Sequence, residues 1–567
     1  MAREDEPGPS GAAGAAGRTT GRTTPWWVGA AIAGTALPVV VAVARAVRQG
    51  WLPMGDNAYF TVRSRDVLGP HHPLLGAWSS GSRSLGGSVN NLGPLQLDLL
   101  APFTKVGWAA GTAVGAGALA VVSIVGIGLV ARRLLPPAGV LLVLLATAVV
   151  AWAMGSQMFL ETRQHHALIL PFLLYLVLVW GLAAGDRWLL PWAVAVGTLL
   201  VQTHLSYLVL ASLLGGWGLA ALVARQRRDG AVRTLARPGL ASLGVAALLW
   251  AQPLVDQVTG QGNLTDLLRS GSGDEGSAPG PAGAARIVGR MLAWPPRWLR
   301  AGFVDVDPAG SDGTAWAVVG LVAVVVVLGV AGWRSRARGD ATATAAVATA
   351  AAAVVAGLVG AAVTPAGSLG PVVGNYRWLW PLALFVVLAA VLGAVGTGVG
   401  GADPDVPSRD GARRLGGLVV GLALVAVTLA DLPAHHGLEV TRVDRRLRPV
   451  AAEVVRQVED ADLKGPVLFD RSRAAFGEPY SYVVLAALQE DGVAFTFDED
   501  DPGAGRDVLR FGEGRADEGR ADQRLVLVTG PAARDLPPGA RRVALASVPD
   551  AGDDPIGTAG LYLEPVG

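Results

Sequence analysis

Apolar stretches of the length that crosses roughly 30 Å of hydrocarbon recur along this chain, separated by short polar punctuation. They fall at 26–47, 109–131, 138–157, 166–184, 188–203, 205–224, 239–258, 314–333, 341–363, 376–398 and 414–431. The pattern predicts an α-helical multi-spanning membrane protein with about 11 spans. The first run contains Ala42-Val43-Ala44, which mimics a signal-peptide cleavage site, but its length and overlong polar lead favour a retained span. Gln202-Thr203-His204 either tops a helical hairpin or interrupts one long apolar stretch.

After residue 431 the period changes. "GPVLFD" (465–470), "VAFTF" (493–497) and "RLVLV" (524–528) read as short buried strands, whereas 447–460 and 478–491 read as amphipathic helices. Alternating strands and helices predict a small α/β domain over 432–567, acidic at 498–501 and loop-rich from 502 to 523. Residues 1–25, rich in Gly, Ala, Thr and Arg, read as a disordered tail. The organisation is thus a tail (1–25), a membrane domain (26–431) and a C-terminal domain (432–567).

Composition supports this division. The chain is 51% hydrophobic and 16% charged, with mean hydropathy +0.44. A net charge of +1 gives no electrostatic case for nucleic acid. The absence of cysteine excludes disulfides, thiolate catalysis and Cys-based zinc sites. The C-terminal domain has no phosphate-binding glycine motif at a strand–helix turn.

Arginines set the expected orientation. Arg132-Arg133, Arg187, the run from Arg225 to Arg237, Arg334 to Arg338, and Arg413-Arg414 fall on alternate loops. Placing these in the cytoplasm puts the N-terminus inside and, with an odd number of spans, the C-terminal domain outside the cell membrane. Arg45 and Arg48 sit at the opposite end of the first run, where long side chains can snorkel.

The concentrated polar sequence then lies on one side. The first outer loop carries Asp56, Asn57, Arg63, Arg65, Asp66, His71, His72, Arg83, Asn90 and Asn91. "FLETRQHHA" (159–167) carries Glu161, Arg163, His165 and His166; His204 follows, and "GNYRWLWP" (374–381) brings Tyr376 and Arg377. Ionisable groups near membrane depth are costly, so their clustering on one face points to function. A carboxylate there can take a proton from a sugar hydroxyl, while arginines and histidines hold a phosphate. Asp56 and Glu161 could converge as base and partner, or bind a divalent cation such as Mg or Mn.

"GDNAYFTVRSRDV" (55–67) after the first run resembles the first-loop acidic motif of GT-C fold integral-membrane glycosyltransferases. "NNLGPLQLDLLAPFTKVG" (90–107) resembles the "HPGPL"-type segment of their dolichyl-phosphate-mannosyltransferase-like members, which forms a short surface helix before the second span. The resemblance covers residues 25–210 and implies inverting transfer of a sugar from a polyprenyl-phosphate donor, with Asp56 as base. The acceptor would be a cell-envelope glycan or lipid. The remaining candidates, Glu161 as second catalytic acid and Asn57, Arg63, Arg163, His165, His204, Tyr376 and Arg377 as substrate or phosphate contacts, are read from their outer placement. Two departures stand out: Asn57 replaces the second acid found in many members, and Asn91-Leu92 replaces the usual His-Pro.

Plainer readings accompany each residue. Asp56 could cap a helix or pair with Arg63 or Arg65; Glu161 could pair with Arg163. His204 could be a buried hydrogen-bonder, and Arg377 an interfacial anchor beside Trp378. Asp98, Asp256 and Asp431 read as solvated. At the level of the whole chain, the alternatives are a lipid or sugar transporter and a non-catalytic scaffold. A transporter would carry ionisable groups in mid-span and broken helices, and these runs nearly lack them.

Overall fold

The computed structural model describes residues 25–79, 89–270, 278–296, 298–299, 313–365, 373–397, 409–433, 440–497, 521 and 523–565. The tail, Arg83, and the acidic and loop-rich stretch 498–520 lie outside the described residues. The membrane part runs through α1 (Trp26–Arg48), α2 (Asp56–Arg65), α3 (Leu95–Thr104), α4 (Trp108–Leu134), α5 (Pro137–Met154) and α6 (Gln164–Ala167). It continues through α7 (Ile169–Ala183), α8 (Leu190–Thr203), α9 (Tyr207–Arg228), α10 (Ala236–Leu249), α11 (Ala251–Thr259), α12 (Asn263–Ser270) and α13 (Gly280–Leu292). It ends with α14 (Thr314–Ala337), α15 (Ala341–Val363), α16 (Leu379–Val395) and α17 (Arg409–Asp431).

Among the described residues, eight helices are long and apolar enough to cross a membrane. All eleven apolar runs are helical, but α7 and α8 have only 15 and 14 residues, and only 415–431 of α17 is apolar. The shortness of α7 has a packing counterpart: every residue from Ile169 to Leu182 is buried. This helix faces protein on all sides, so its length is set by its neighbours rather than by lipid.

One end of the bundle forms a common floor. Arg133 makes a two-pronged ion pair with Asp186, at 2.6 and 2.9 Å, joining the ends of α4 and α7. Trp180 Nε1 donates to the Thr342 carbonyl at 2.9 Å, and Thr397 N donates to Asp340 Oδ2 at 2.6 Å. These contacts bring the last turns of α7 and α16 level with the first turn of α15. From this floor α7 and α8 rise only about 21–23 Å, whereas α15 rises about 34 Å and α4 about 40 Å. The bundle therefore has a recess at its opposite end, floored by the tops of these two short helices.

The C-terminal domain contains α18 (Val440–Asp460), β1 (Val467–Arg473), α19 (Ser481–Glu490), β2 (Phe495–Phe497), β3 (Gln523–Thr529), β4 (Arg541–Ser547) and β5 (Thr558–Pro565). The sheet order is β2-β1-β3-β5-β4, parallel at β2-β1-β3 and antiparallel at β3-β5-β4. The first three strands match the sequence reading. The antiparallel pair β4–β5 escaped it, because "RRVALAS" and "TAGLYLEP" offer small residues and a glycine instead of a run of branched ones.

This domain is welded to the membrane part through α2. Val450, Val454, Val484 and Leu488 share one hydrophobic core with Ala58, Val62, Leu97 and Leu100. Gly55 N donates to the Pro479 carbonyl at 3.0 Å. Gln489 Nε2 donates to Asp66 Oδ1 at 2.7 Å, and Arg65 pairs with Glu490. Three acids read as solvated are not. Asp256 is buried because its carboxylate accepts the N–H groups of Gln261 and Asn263 in the turn after α11. Asp98 accepts from Gln252 at 2.9 Å, and Asp431 is buried at the end of α17.

Candidate active site in the recess

A cavity of about 430 Å³ opens at the recess, between the bundle and the C-terminal domain. Its walls differ in character. Asp56, Arg163, His165 and His204 supply a polar side, while Leu208, Val209 and Val363 of α9 and α15 supply an apolar one.

Gly55 sets the position of Asp56. Its φ of +54° and ψ of −127° suit glycine alone and let the chain turn sharply into α2. Asp56 is the first helical residue, where a carboxylate complements the helix dipole. Its side chain is 72% exposed and faces the cavity. Arg163 connects it to the second acid: Arg163 Nε lies 3.9 Å from Asp56 Oδ2 and 4.0 Å from Glu161 Oε2. The two acids read as converging thus do meet, but through a guanidinium.

Glu161 does not line the cavity. It is buried behind Arg163, with its Oε2 2.5 Å from His166 Nδ1. Burial pushes the Glu161 carboxyl up from its usual range, with Arg163 opposing. Burial, reinforced by Arg377 and Arg163, holds His166 well below its ordinary value. A contact this short between Oε2 and Nδ1 holds one proton between the two atoms. His165 is likewise held well below its usual value, first by burial and then by its charged neighbours. Its ring stands edge-on to His166 at 4.3 Å and to His204 at 6.4 Å. Burial pushes His204 down to about 4, and its Nδ1 sits 2.7 Å from Ser206 Oγ. All three histidines are neutral near pH 7, so positive charge for an anion comes from arginine.

Arg377 is buried beside this row, its guanidinium 4.9 Å above the Trp380 ring. Its Nε and Nη1 find no hydrogen-bond partner among the described residues, and neither does the buried Tyr376 hydroxyl. Gly374 and Asn375, immediately before them, line the cavity.

Four expected contacts do not line the cavity: Tyr376 and Arg377, buried as described, and two on the first loop. Asn57 is buried, and its Oδ1 accepts from Thr162 N at 2.9 Å and Thr162 Oγ1 at 3.2 Å, which fastens α2 to the Glu161 loop. Arg63 is buried in an ion pair with Asp66 at 2.5 Å and donates to the His71 carbonyl at 3.1 Å. Both hold the first loop in shape and neither lines the cavity. Sequence reasoning passed over Tyr482 of α19, which reaches the cavity and packs edge-on against Tyr59 with ring centres 5.2 Å apart. No signal in a single sequence ties residue 482 to residue 59.

A divalent cation does not fit this donor set. The guanidinium of Arg163 occupies the position between the two carboxylates that a cation would need. Among the described residues, no group of three or more His, Cys, Asp or Glu could hold a metal ion. No protein-family model matches the sequence, and no curated protein gives a significant match.

Proposed function

We propose that this chain is an integral-membrane glycosyltransferase of the GT-C type. It transfers a sugar from a polyprenyl-phosphate donor to a cell-envelope acceptor on the outer face of the membrane. The observation that carries the reading is Asp56 and Arg163 facing one cavity that has a polar side and an apolar side. A lipid-linked sugar phosphate needs both: the apolar wall suits its chain and the basic side suits its phosphate.

In the reaction Asp56 accepts the proton of an acceptor hydroxyl as that oxygen attacks the anomeric carbon. The bond from that carbon to the phosphate oxygen breaks, and the polyprenyl phosphate leaves with the electron pair. A single displacement inverts the anomeric centre. Arg163 stabilises the departing phosphate, and the buried guanidinium of Arg377 adds positive potential behind it. Glu161 is a positioning residue: with His166 it fixes the Arg163 guanidinium beside Asp56. Orientation follows from the arginines gathered at the floor, which favour the cytoplasm and put the recess outside.

The test is Asp56→Asn in the purified full chain, supplied with a radiolabelled polyprenyl-phosphate sugar. Transfer should fall by about 10²–10⁴-fold, the usual contribution of a positioned base, with the unfolding midpoint unchanged. Undiminished transfer, or labelling of position 56 from the cytoplasm, sinks the reading. The Glu161–His166 pair with its single proton is also the feature a proton-coupled transporter would use. Substrate flux into sealed vesicles without a new glycosidic bond would favour that second reading.

A further inference from the structure

The cavity lies between two separate hydrophobic cores. Leu205 and Leu208 on its bundle side belong to the core of the membrane helices. Tyr59, Phe60 and Tyr482 on the other side belong to the core shared by α2 and the C-terminal domain. Only the first side offers an aliphatic wall continuous with the membrane helices. The second offers aromatic rings, with the half-buried Tyr482 edge-on to Tyr59, and the half-buried Trp78 also lines the cavity.

Both rings are held in place. Trp78 is tied down by a β-bridge to Asn90, and Asn90 is locked by reciprocal bonds with Asn263 at 2.8 and 3.0 Å. Tyr482 is backed by the Arg471 guanidinium, 5.9 Å from its ring centre and 5.1 Å from that of Phe497. Asp56 opens onto the same cavity.

We infer that this aromatic wall is the acceptor subsite, that its ligand is a glycan, and that the C-terminal domain completes it through Tyr482. A sugar ring carries an apolar face of C–H groups bordered by hydroxyls. The face packs on an aromatic ring, whose amphipathic body suits one apolar and one wet side. The hydroxyls donate to a carboxylate such as Asp56. A lipid acceptor would need a second aliphatic wall, and the described residues of this side offer none. The inference rests on the proposed transferase reading for its word "acceptor", but glycan binding can be measured without turnover.

The experiment is saturation-transfer NMR on the full chain in nanodiscs, with tetrasaccharides of mannose, glucose, galactose, N-acetylglucosamine and arabinose, and an alanine-rich hydroxyl-bearing peptide alongside. At least one glycan should bind. Tyr482→Ala should weaken it by about tenfold, the scale of one lost aromatic contact, while Tyr482→Trp retains it. Trp78→Ala should act in the same direction. Binding of no glycan, equal binding by Tyr482→Ala, or preference for the peptide overturns the inference. Tyr482-dependent glycan binding without any sugar transfer would sustain the inference and defeat the transferase reading. Transfer that is indifferent to Tyr482→Ala would do the reverse.

Discussion

His166 Nδ1 lies 2.5 Å from Glu161 Oε2, and both side chains are buried. The contact gives each group a partner it cannot find in solvent. Removing His166 takes away the nearest partner of the buried Glu161 carboxyl, which keeps Arg163 at 4.0 Å; breaking a buried pair costs about 3–5 kcal/mol. His166→Ala should therefore lower the unfolding midpoint strongly, whereas His166→Gln, which can still donate to Glu161, should recover much of the loss. Thermal unfolding in detergent reads both. Equal midpoints for wild type and His166→Ala would mean that the pair carries no stability.

Asp66 joins the membrane part to the C-terminal domain. One carboxylate oxygen takes the Arg63 guanidinium at 2.5 Å and the other takes Gln489 Nε2 at 2.7 Å. Asp66→Ala takes the carboxylate from the buried Arg63, which keeps the His71 carbonyl, and breaking this buried pair should cost about 3–5 kcal/mol. Gln489→Ala removes the side-chain hydrogen bonds to Asp66 and to the Val62 carbonyl, each worth about 1 kcal/mol, and should mainly loosen the domain. Limited proteolysis between residues 432 and 447 should accelerate for Gln489→Ala while the membrane core stays intact. Unchanged cleavage would show that the apolar contacts alone hold the domain.

The helices of this protein were legible because hydropathy in a membrane is a nearly complete description of the problem. Each span must satisfy its own backbone and present apolar side chains. What hydropathy could not give is relative depth. Nothing in "ALILPFLLYLVLVWGLA" says that the helix stops about 12 Å short of its neighbour α15; that follows from where Trp180 and Asp186 anchor it. The site was legible in part for a similar reason. Asp56, Arg163, His165 and His204 were singled out because polar residues at one end of an apolar bundle have few places to go, and all four line the cavity. Asn57 and Arg63 share that composition, yet they turn inward to bond Thr162 and Asp66, a choice set by tertiary contacts alone.

The inward turn of Asn57 carries its own prediction. Its Oδ1 is the acceptor for the buried Thr162 N–H at 2.9 Å, one residue from Glu161. Asn57→Ala leaves that N–H unsatisfied, at a cost of about 1–3 kcal/mol. Asn57→Asp keeps an acceptor but buries a new charge, so it should be no more stable than wild type. The Thr162 amide, protected in wild type, should exchange faster in Asn57→Ala. An unaltered exchange rate at Thr162 would rule out the link.

His204 supplies a pH dependence whose sign can be worked out. Burial pushes its imidazole down to about 4, against an ordinary value near 6.5 in the unfolded chain. Between those two values the unfolded state binds a proton that the folded state refuses. Stability therefore rises with pH through that window, is fully present above about 6.5, and is lost as pH falls towards 4. Lowering the pH from 7 to 5 should depress the unfolding midpoint, and His204→Asn should flatten that part of the profile. His165 and His166 are shifted the same way and steepen the same limb, so the variant should remove a share of the slope. Glu161 acts oppositely, because a raised carboxyl contributes stability at low pH that is lost as pH rises through its folded value. A His204→Asn profile superimposable on that of wild type between pH 5 and 7 would show that this imidazole titrates as freely in the recess as in water.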